Sequence, residues 1–308
     1  MRTILITGGT GMVGKQLTQL LLAKGYRVII LTRNIKDKKN KESSALQYAL
    51  WNVEQQTIDR DAIIAADAII HLAGENVAEQ RWTDKRKQEI VNSRTQSSSL
   101  LVKALQEIPN NIHVVVSASA IGWYGEDKPG VISFTEDMPH DNSFLGTTCE
   151  AWEKSIEPVV NMDKRLVKLR TGIVLDKAGG VIKEFKKPLH FRVAGVLGKG
   201  DQIMSWIHVD DLCRMYVYAL EQSEIRGVYN AVAPNPVSNR ALTLAIANRM
   251  YGNVYLPLHI PVFILKVMLG EMSIEVLKGT TVSCNKILEA GFTFQFTNVN
   301  DAVSDLIK

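Results

Sequence analysis

The sequence predicts an α/β chain built on a doubly wound parallel sheet, with a smaller C-terminal α/β region beside it. Two observations carry that expectation. Short apolar runs rich in Val and Ile alternate with stretches of helical periodicity from Thr3 to Val232, the pattern of a parallel sheet covered on both faces. The first run also ends in regularly spaced glycines that open straight into a helix, and a second run follows after Gly25.

Thr3 to Thr7 is the first strand. It breaks at Gly8-Gly9-Thr10-Gly11-Met12-Val13-Gly14, where the helical spacing of Val13, Leu17, Leu20 and Leu21 begins. The glycines have separate jobs: Gly8 permits the tight turn, Gly11 lets backbone approach a pyrophosphate, and Gly14 lets the helix sit close to its strand. Exposed amides at the helix start then hold phosphates. The second strand, Val28 to Thr32, runs into Thr32-Arg33-Asn34, where a dinucleotide site would place Asp or Glu for the ribose 2′-hydroxyl; no acid appears before Asp37. A guanidinium pairs with a 2′-phosphate and an acid repels it, so Arg33 predicts NADP over NAD.

Lys36 to Ser44 reads as a polar loop, Gln47 to Asn52 as the third strand, and Ile58 to Ala66 as a short helix. The fourth strand, Ala68 to Gly74, carries Gly74 to the carboxyl edge where such sheets bind ligands, and His71 within it reads as a packed strand residue. Arg81 to Ile108 is a long helix that turns Trp82, Ile90, Leu101 and Leu105 to the sheet. Ser97-Ser98-Ser99 weakens its middle, and Lys85 to Glu89 reads as a solvated face. His113 to Ser119 is the fifth strand, ending in hydroxyl residues before Gly122-Trp123-Tyr124-Gly125, and residues 126–143 form a loop over the site. Beyond a helix through Trp152 and Ile156, Leu166 to Arg170 is the sixth strand and Thr171 to Leu175 extends it. Val181 to Pro188 is a helix, and Lys199 and Gln202 follow as substrate-contact or plain loop residues. Asp210 or Asp211 suits the start of the amphipathic helix through Met215, Val217 and Leu220, where a carboxylate meets unpaired amides. Gly227 to Val232 is a further strand and Arg240 to Met250 a further helix. The apolar run Val262 to Leu269 serves packing, a subunit contact or a lid, and Ser304 to Lys308 ends a last short helix.

Composition narrows the partners. The chain has 308 residues, 46% of them hydrophobic, with a formal charge of +4, too small to argue for nucleic acid or an anionic membrane. Its one basic tract, Lys36 to Lys41, also reads as a solvated loop. Cys149, Cys213 and Cys284 are an odd, widely spaced set that indicates neither a disulfide framework nor a metal site. The first apolar run is only a strand's length, and no run approaches a membrane span. The expectation is a cytoplasmic chain acting on a small molecule, with a homo-oligomer open.

The turn at residues 8–14, His71-Leu72-Ala73-Gly74, Ser117-x-Ser119 with Tyr124-Gly125, and Trp206-Ile207-His208-Val209-Asp210-Asp211-Leu212 together resemble the extended short-chain dehydrogenases/reductases. Arg81-Trp82, Lys87-Gln88-Glu89-Ile90 with Ser93-Arg94, Arg170 to Leu175, Gly270-Glu271-Met272 and Ala290-Gly291-Phe292 are similar to the NADP-binding epimerase-family subgroup, related to nucleotide-sugar epimerases. The likeness spans nearly the whole chain. It implies a Rossmann domain over residues 1–175, its core continuing near 205–233, and a mostly C-terminal substrate region over 176–308. It also implies NADP contacts from Gly8, Thr10, Gly11, Met12, Val13, Gly14, Thr32, Arg33, Leu72, Ala73, Gly74, Glu89, Arg94 and Arg170. Glu89 and Arg94 read equally as a helix-surface charge pair.

One departure from the wider group matters most. Its epimerases and dehydratases use a Tyr-x-x-x-Lys pair, the lysine lowering the tyrosine's pKa so that a phenolate can move the substrate's proton. With Glu153 aligned to the acid that follows that pair, Leu145 stands at the tyrosine position and Cys149 at the lysine position; neither can do that work. The partner hydroxyl position falls on Ala120, with Ser119 beside it. Ser119, Tyr124 and Cys149 are the candidate substitutes. Each also has a structural reading: strand-end hydrogen bonder, pocket wall and buried small side chain. Glu150 and Glu153 read as helix-surface carboxylates. Two functions stay open: an NADP-dependent oxidoreductase or epimerase with a non-standard proton donor, or an NADP-binding sensor, scaffold or assembly protein whose catalytic set is lost.

Overall fold

A computed structural model describes residues 2–35, 43–177 and 179–307. The basic tract Lys36 to Lys41, Asp37 within it, and Lys308 lie outside the described residues. In chain order the elements are β1 (Thr3–Thr7), α1 (Met12–Ala23), β2 (Arg27–Thr32), β3 (Leu46–Asn52), β4 (Thr57–Ile58), α2 (Arg60–Ala65), β5 (Ala68–His71), α3 (Asp84–Glu107), β6 (Val114–Ala120) and α4 (Phe144–Ile156). There follow β7 (Arg165–Thr171), β8 (Ile173–Leu175), α5 (Gly180–Leu189), β9 (Val193–Leu197), β10 (Ile203–Met204), β11 (Trp206–His208), α6 (Val209–Glu221) and β12 (Gly227–Ala231). The remainder are β13 (Val237–Ser238), α7 (Asn239–Tyr251), β14 (Leu256–Ile260), α8 (Val262–Leu269), α9 (Ser273–Leu277), α10 (Asn285–Glu289) and α11 (Val299–Leu306).

Eight strands form the main sheet in the order β12-β7-β6-β5-β1-β2-β3-β4, every neighbouring pair parallel except β3–β4. The order runs outward in both directions from β1 and β5, so the crevice that ligands use in such sheets opens at their carboxyl ends. Strand alternation decides the two faces. Ile4, Ile6, Val28, Ile30, Ile70 and Val116 point to the side covered by α1 and α6, while Leu5, Ile29, Leu31, Ile69 and Val115 point to the side covered by α2, α3 and the end of α4. The first side is continuous with the C-terminal region, since Leu242 and Ile246 of α7, Ile287 of α10, and Val299 and Val303 of α11 join the same buried cluster as Ile4 and Leu17. Small strand pairs β8·β11, β9·β14 and β10·β13 complete that region.

Three of the sequence expectations for the helices change in the structure. Trp82 precedes α3 instead of facing the sheet from it; its Nε1 donates to the Val77 carbonyl at 2.8 Å and its ring meets Phe144 edge-on. The supposedly solvated face holds Arg86, which is buried. Asp211 does not cap its own helix: His208 does that, accepting from the Asp210 amide at 3.1 Å, and the buried Asp211 carboxylate instead accepts from the amides of Gln295 and Phe296. The last helix is α11, ending at Leu306. No helix of the described residues is long and apolar enough to cross a membrane, and the apolar run of α8 is short, with Phe263, Val267 and Met268 on the surface.

Candidate functional site

The glycine turn sits at the switch point. Gly8 adopts φ +68°, a left-handed conformation that suits glycine, and its carbonyl accepts from the Gly11 amide at 3.0 Å. A Cβ at Gly8 would stand 2.8 Å from the Leu72 carbonyl, and one at Gly14 only 2.3 Å from the Gly8 oxygen, so both positions are held to glycine by backbone contact. α1 starts at Met12 with no side-chain cap at Gly11, while Thr10 and Gly11 are exposed. Uncapped helix amides beside an exposed, glycine-rich turn make a cradle of the right kind for a diphosphate. Met12 flanks it and meets the 179–180 backbone: a Cβ at Gly179 would lie 3.2 Å from its sulfur. Val13 is half-buried behind the turn.

Beneath the turn a buried hydroxyl sets a histidine's tautomer. Thr7 Oγ1 accepts from the amides of Leu72 at 3.1 Å and Ala73 at 3.2 Å, and lies 2.7 Å from His71 Nδ1. With both lone pairs in use, the hydroxyl gives its one proton to Nδ1, and His71 carries its own proton on Nε2, 3.1 Å from Ser98 Oγ. Burial pushes the imidazole's pKa down to about 3, so it is neutral. The serines of α3 are therefore the complement of a packed strand histidine.

The chain after β5 is clamped by one face of α3. Ser93 Oγ accepts from the Glu75 amide at 3.0 Å, Arg94 Nη2 donates to the Glu75 carbonyl at 3.0 Å, and Arg86 Nη2 donates to the Asn76 carbonyl at 2.8 Å. Arg94 also packs its guanidinium against Gly74 and over the Trp152 ring, and burial lowers its pKa. Glu89 pairs with Arg86 at 3.1 Å and not with Arg94. Arg33 is 80% exposed at the end of β2, 3.7 Å from Glu75 Oε1, and the buried Thr32 hydroxyl turns to the backbone of Asn34.

A second set of candidates lies inside the protein. Arg170 of β7 makes a bidentate pair with Glu153 of α4 and donates to Tyr124 Oη at 3.0 Å and to the Glu136 carbonyl at 3.2 Å. Its guanidinium lies 3.6 Å from the centre of the Trp123 ring. Burial opposes its charge, but the Glu153 carboxylate outweighs that and raises the pKa. Ser119 donates to Glu153 Oε1 at 2.7 Å, and Tyr124 donates to Asn230 Oδ1 at 2.7 Å. Burial pushes the Tyr124 phenol up to about 12 against the pull of Arg170, and the Cys149 thiol up to about 12, reinforced by Glu153. Burial thus opposes the cation-lowered thiol that would make Cys149 a proton carrier. Glu153, expected on a helix surface, is buried at the centre of this network, whereas Glu150 meets Lys154 and His140 at the surface.

Leu145 and Cys149 do reach the carboxyl end of β6. A Cβ on Gly122 would stand 3.0 Å from Leu145 Cβ and 3.7 Å from Cys149 Sγ, so these two side chains close that edge with apolar atoms and a neutral thiol. The 126–143 loop is tied to the C-terminal region through Phe134 and Asp127, which bond the 279–283 backbone. Gln202 is also structural: its amide donates to the carbonyls of Leu197 and Val276. His208, Asp210 and Asp305 gather ligand atoms within 4.8 Å, but His208 accepts at Nδ1 and so holds its proton on Nε2, which leaves no imidazole lone pair for a cation.

A parallel sheet with this cradle at its switch point defines a Rossmann-type α/β protein. The profile described as "NAD dependent epimerase/dehydratase family" matches residues 4–148 and 177–231, and that described as "Domain of unknown function (DUF1731)" matches residues 260–306. The chain is 34% identical over 305 residues to the epimerase family protein YfhF of Bacillus subtilis (strain 168), covering 99% of this chain and 97% of that one. It is 32% identical to the chloroplastic epimerase family protein SDR39U1 homolog of Arabidopsis thaliana, covering 99% and 87%. The solved structure of human epimerase family protein SDR39U1 with NADPH matches with a TM-score of 0.85 at 26% identity over 99% of each chain. A nucleoside-diphosphate sugar epimerase of Corynebacterium glutamicum matches at 0.78 and 28%, over 99% of this chain and 58% of that one. This chain belongs to the NAD dependent epimerase/dehydratase family.

Proposed function

We propose that the protein binds NADP(H) and acts as an oxidoreductase or epimerase on a small hydroxylated or carbonyl substrate of the nucleotide-sugar kind, without a tyrosine–lysine pair. The observation that carries this reading is the uncapped start of α1 against the Cβ-free turn at Gly8, Gly11 and Gly14, with Arg33 and no acid at the end of β2. The amides at Thr10 to Gly14 would hold the diphosphate, Thr32 and Arg33 the adenosine end, and Leu72, Ala73 and Gly74 the middle, with Arg94 and Glu89 fixing that edge. NADPH in the related human protein supports the choice of cofactor. When bound, the nicotinamide supplies or takes up a hydride. Ser119, Tyr124 and Cys149 are all buried, the first two donating to Glu153 and Asn230, so the proton that accompanies hydride transfer to a carbonyl oxygen is taken from solvent water, which is left as hydroxide. Arg170 acts from behind, holding Glu153 and Tyr124 in place.

The same committed hydroxyls favour a second reading, an NADP-binding sensor, scaffold or assembly protein without turnover. Titration of the purified protein with NADPH, followed by nucleotide sugars and small carbonyls, separates them. Loss of nicotinamide absorbance that persists in Cys149→Ala supports the enzyme; bound but redox-silent NADPH supports the second reading; failure to bind any pyridine nucleotide overturns both. Arg33→Asp is expected to turn the preference towards NAD, and unchanged NADP affinity would show the arginine assignment to be wrong.

A further inference from the structure

The ribose end of the cleft contains an acid after all, though not on β2. Glu75, seven residues upstream of Trp82 on the segment after β5, directs Oε1 at the Arg33 guanidinium, 3.7 Å away, and Oε2 at Arg86 Nη2, 3.5 Å away. Its main chain is pinned at both ends of the residue by Ser93 and Arg94, so the side chain is delivered to the tip of β2 by a rigid support. The local charge is not that of a simple phosphate site. Arg86 already faces Glu89 at 3.1 Å and Glu79 at 4.0 Å, so three carboxylates share two guanidinium groups there. Arg86 is also buried, and its Nε has no hydrogen-bond partner among the described residues, which leaves it a donor still to offer a carboxylate.

Resting on the reading of this cleft as a pyridine-dinucleotide site, we propose that Glu75 is a specificity-determining residue, supplying from the neighbouring loop the ribose-reading carboxylate that β2 lacks. It accepts from a free 2′-hydroxyl and opposes a 2′-phosphate, and Arg33 does the reverse. When a 2′-phosphate takes Arg33, Glu75 is retained by Arg86. The protein therefore prefers NADP over NAD less strongly than Arg33 alone would dictate.

The test is calorimetric titration of wild type, Glu75→Gln and Glu75→Asp with NADPH and NADH. Glu75→Gln keeps the backbone anchors and removes the charge; it is expected to tighten NADPH and weaken NADH, moving their affinity ratio by about fivefold or more, a size set by a partly solvated charge. Glu75→Asp, which retains the charge, is expected to stay within about twofold of wild type. A ratio unchanged in Glu75→Gln overturns the proposal while leaving the cofactor reading standing. Wild type that binds neither nucleotide overturns the cofactor reading, and this proposal with it.

Discussion

Arg170 Nε and Nη2 meet Glu153 Oε1 and Oε2 at 2.8 and 3.1 Å, a bidentate pair joining β7 to α4 below the surface. Removing one partner strands the other's charge in the interior. Glu153→Gln is expected to cost about 3–5 kcal/mol in urea denaturation, whereas Glu153→Gln combined with Arg170→Met should recover part of that loss. A loss in the double variant equal to the sum of the losses in Glu153→Gln and Arg170→Met alone would show that the pair carries no coupling.

Gly14 is the tightest point of the turn. Gly14→Ala would bring a Cβ to 2.3 Å from the Gly8 carbonyl oxygen, where only backbone can yield. The expected result is a destabilisation of about 2 kcal/mol or more, with weaker uptake of NADPH. Gly25→Ala is the control, since its Cβ would meet nothing within 4 Å although its φ of +83° still strains the chain. Comparable NADPH affinity in the two variants would contradict the close-approach account.

Acid should act through His71. The fold keeps it neutral to about pH 3, while an unfolded chain takes up its proton near the ordinary value of 6.5, so the unfolded state binds more protons between these limits. Stability therefore falls as pH drops through that window, by about 2 kcal/mol from this group at pH 5 relative to pH 7. His71→Asn should flatten the slope of stability against pH, whatever it does to the value at neutral pH. An unaltered slope would mean that His71 is not the titrating group.

Asp211 ties a distant segment to α6. Its carboxylate accepts from the Gln295 and Phe296 amides and pairs with Arg214 at 2.6 Å. Asp211→Asn is expected to cost about 2–3 kcal/mol and to speed hydrogen exchange at those two amides first. Uniform exchange rates across the C-terminal region would refute a local tether.

The turn at Gly8 was readable in the sequence because it is a local object: three glycines at fixed spacing follow a strand and open a helix, and nothing remote is needed to fold them so. The strand pattern was readable for the same reason, through Val and Ile runs whose alternate residues serve two faces. What escaped was the fate of charged residues whose partners are remote. Glu153 on α4 looked like a surface acid because its guanidinium comes from β7. Arg86 sits in a run of charges that looks solvated until the segment after β5 folds back onto α3. Asp211 looked like a cap because its true partners lie 84 and 85 residues away. Glu75 had no local marking at all, since only the parallel placement of β1, β2 and β5 brings it to Arg33.

The apolar cluster that holds Ile4 and Leu17 also takes in Leu242, Ile287 and Val303. Among the described residues, the C-terminal region thus shares its interior with the sheet. Loosening it by heat or by truncation exposes the underside of the sheet that carries the glycine turn, so the two halves should melt in one calorimetric event and neither should be transplantable without the other.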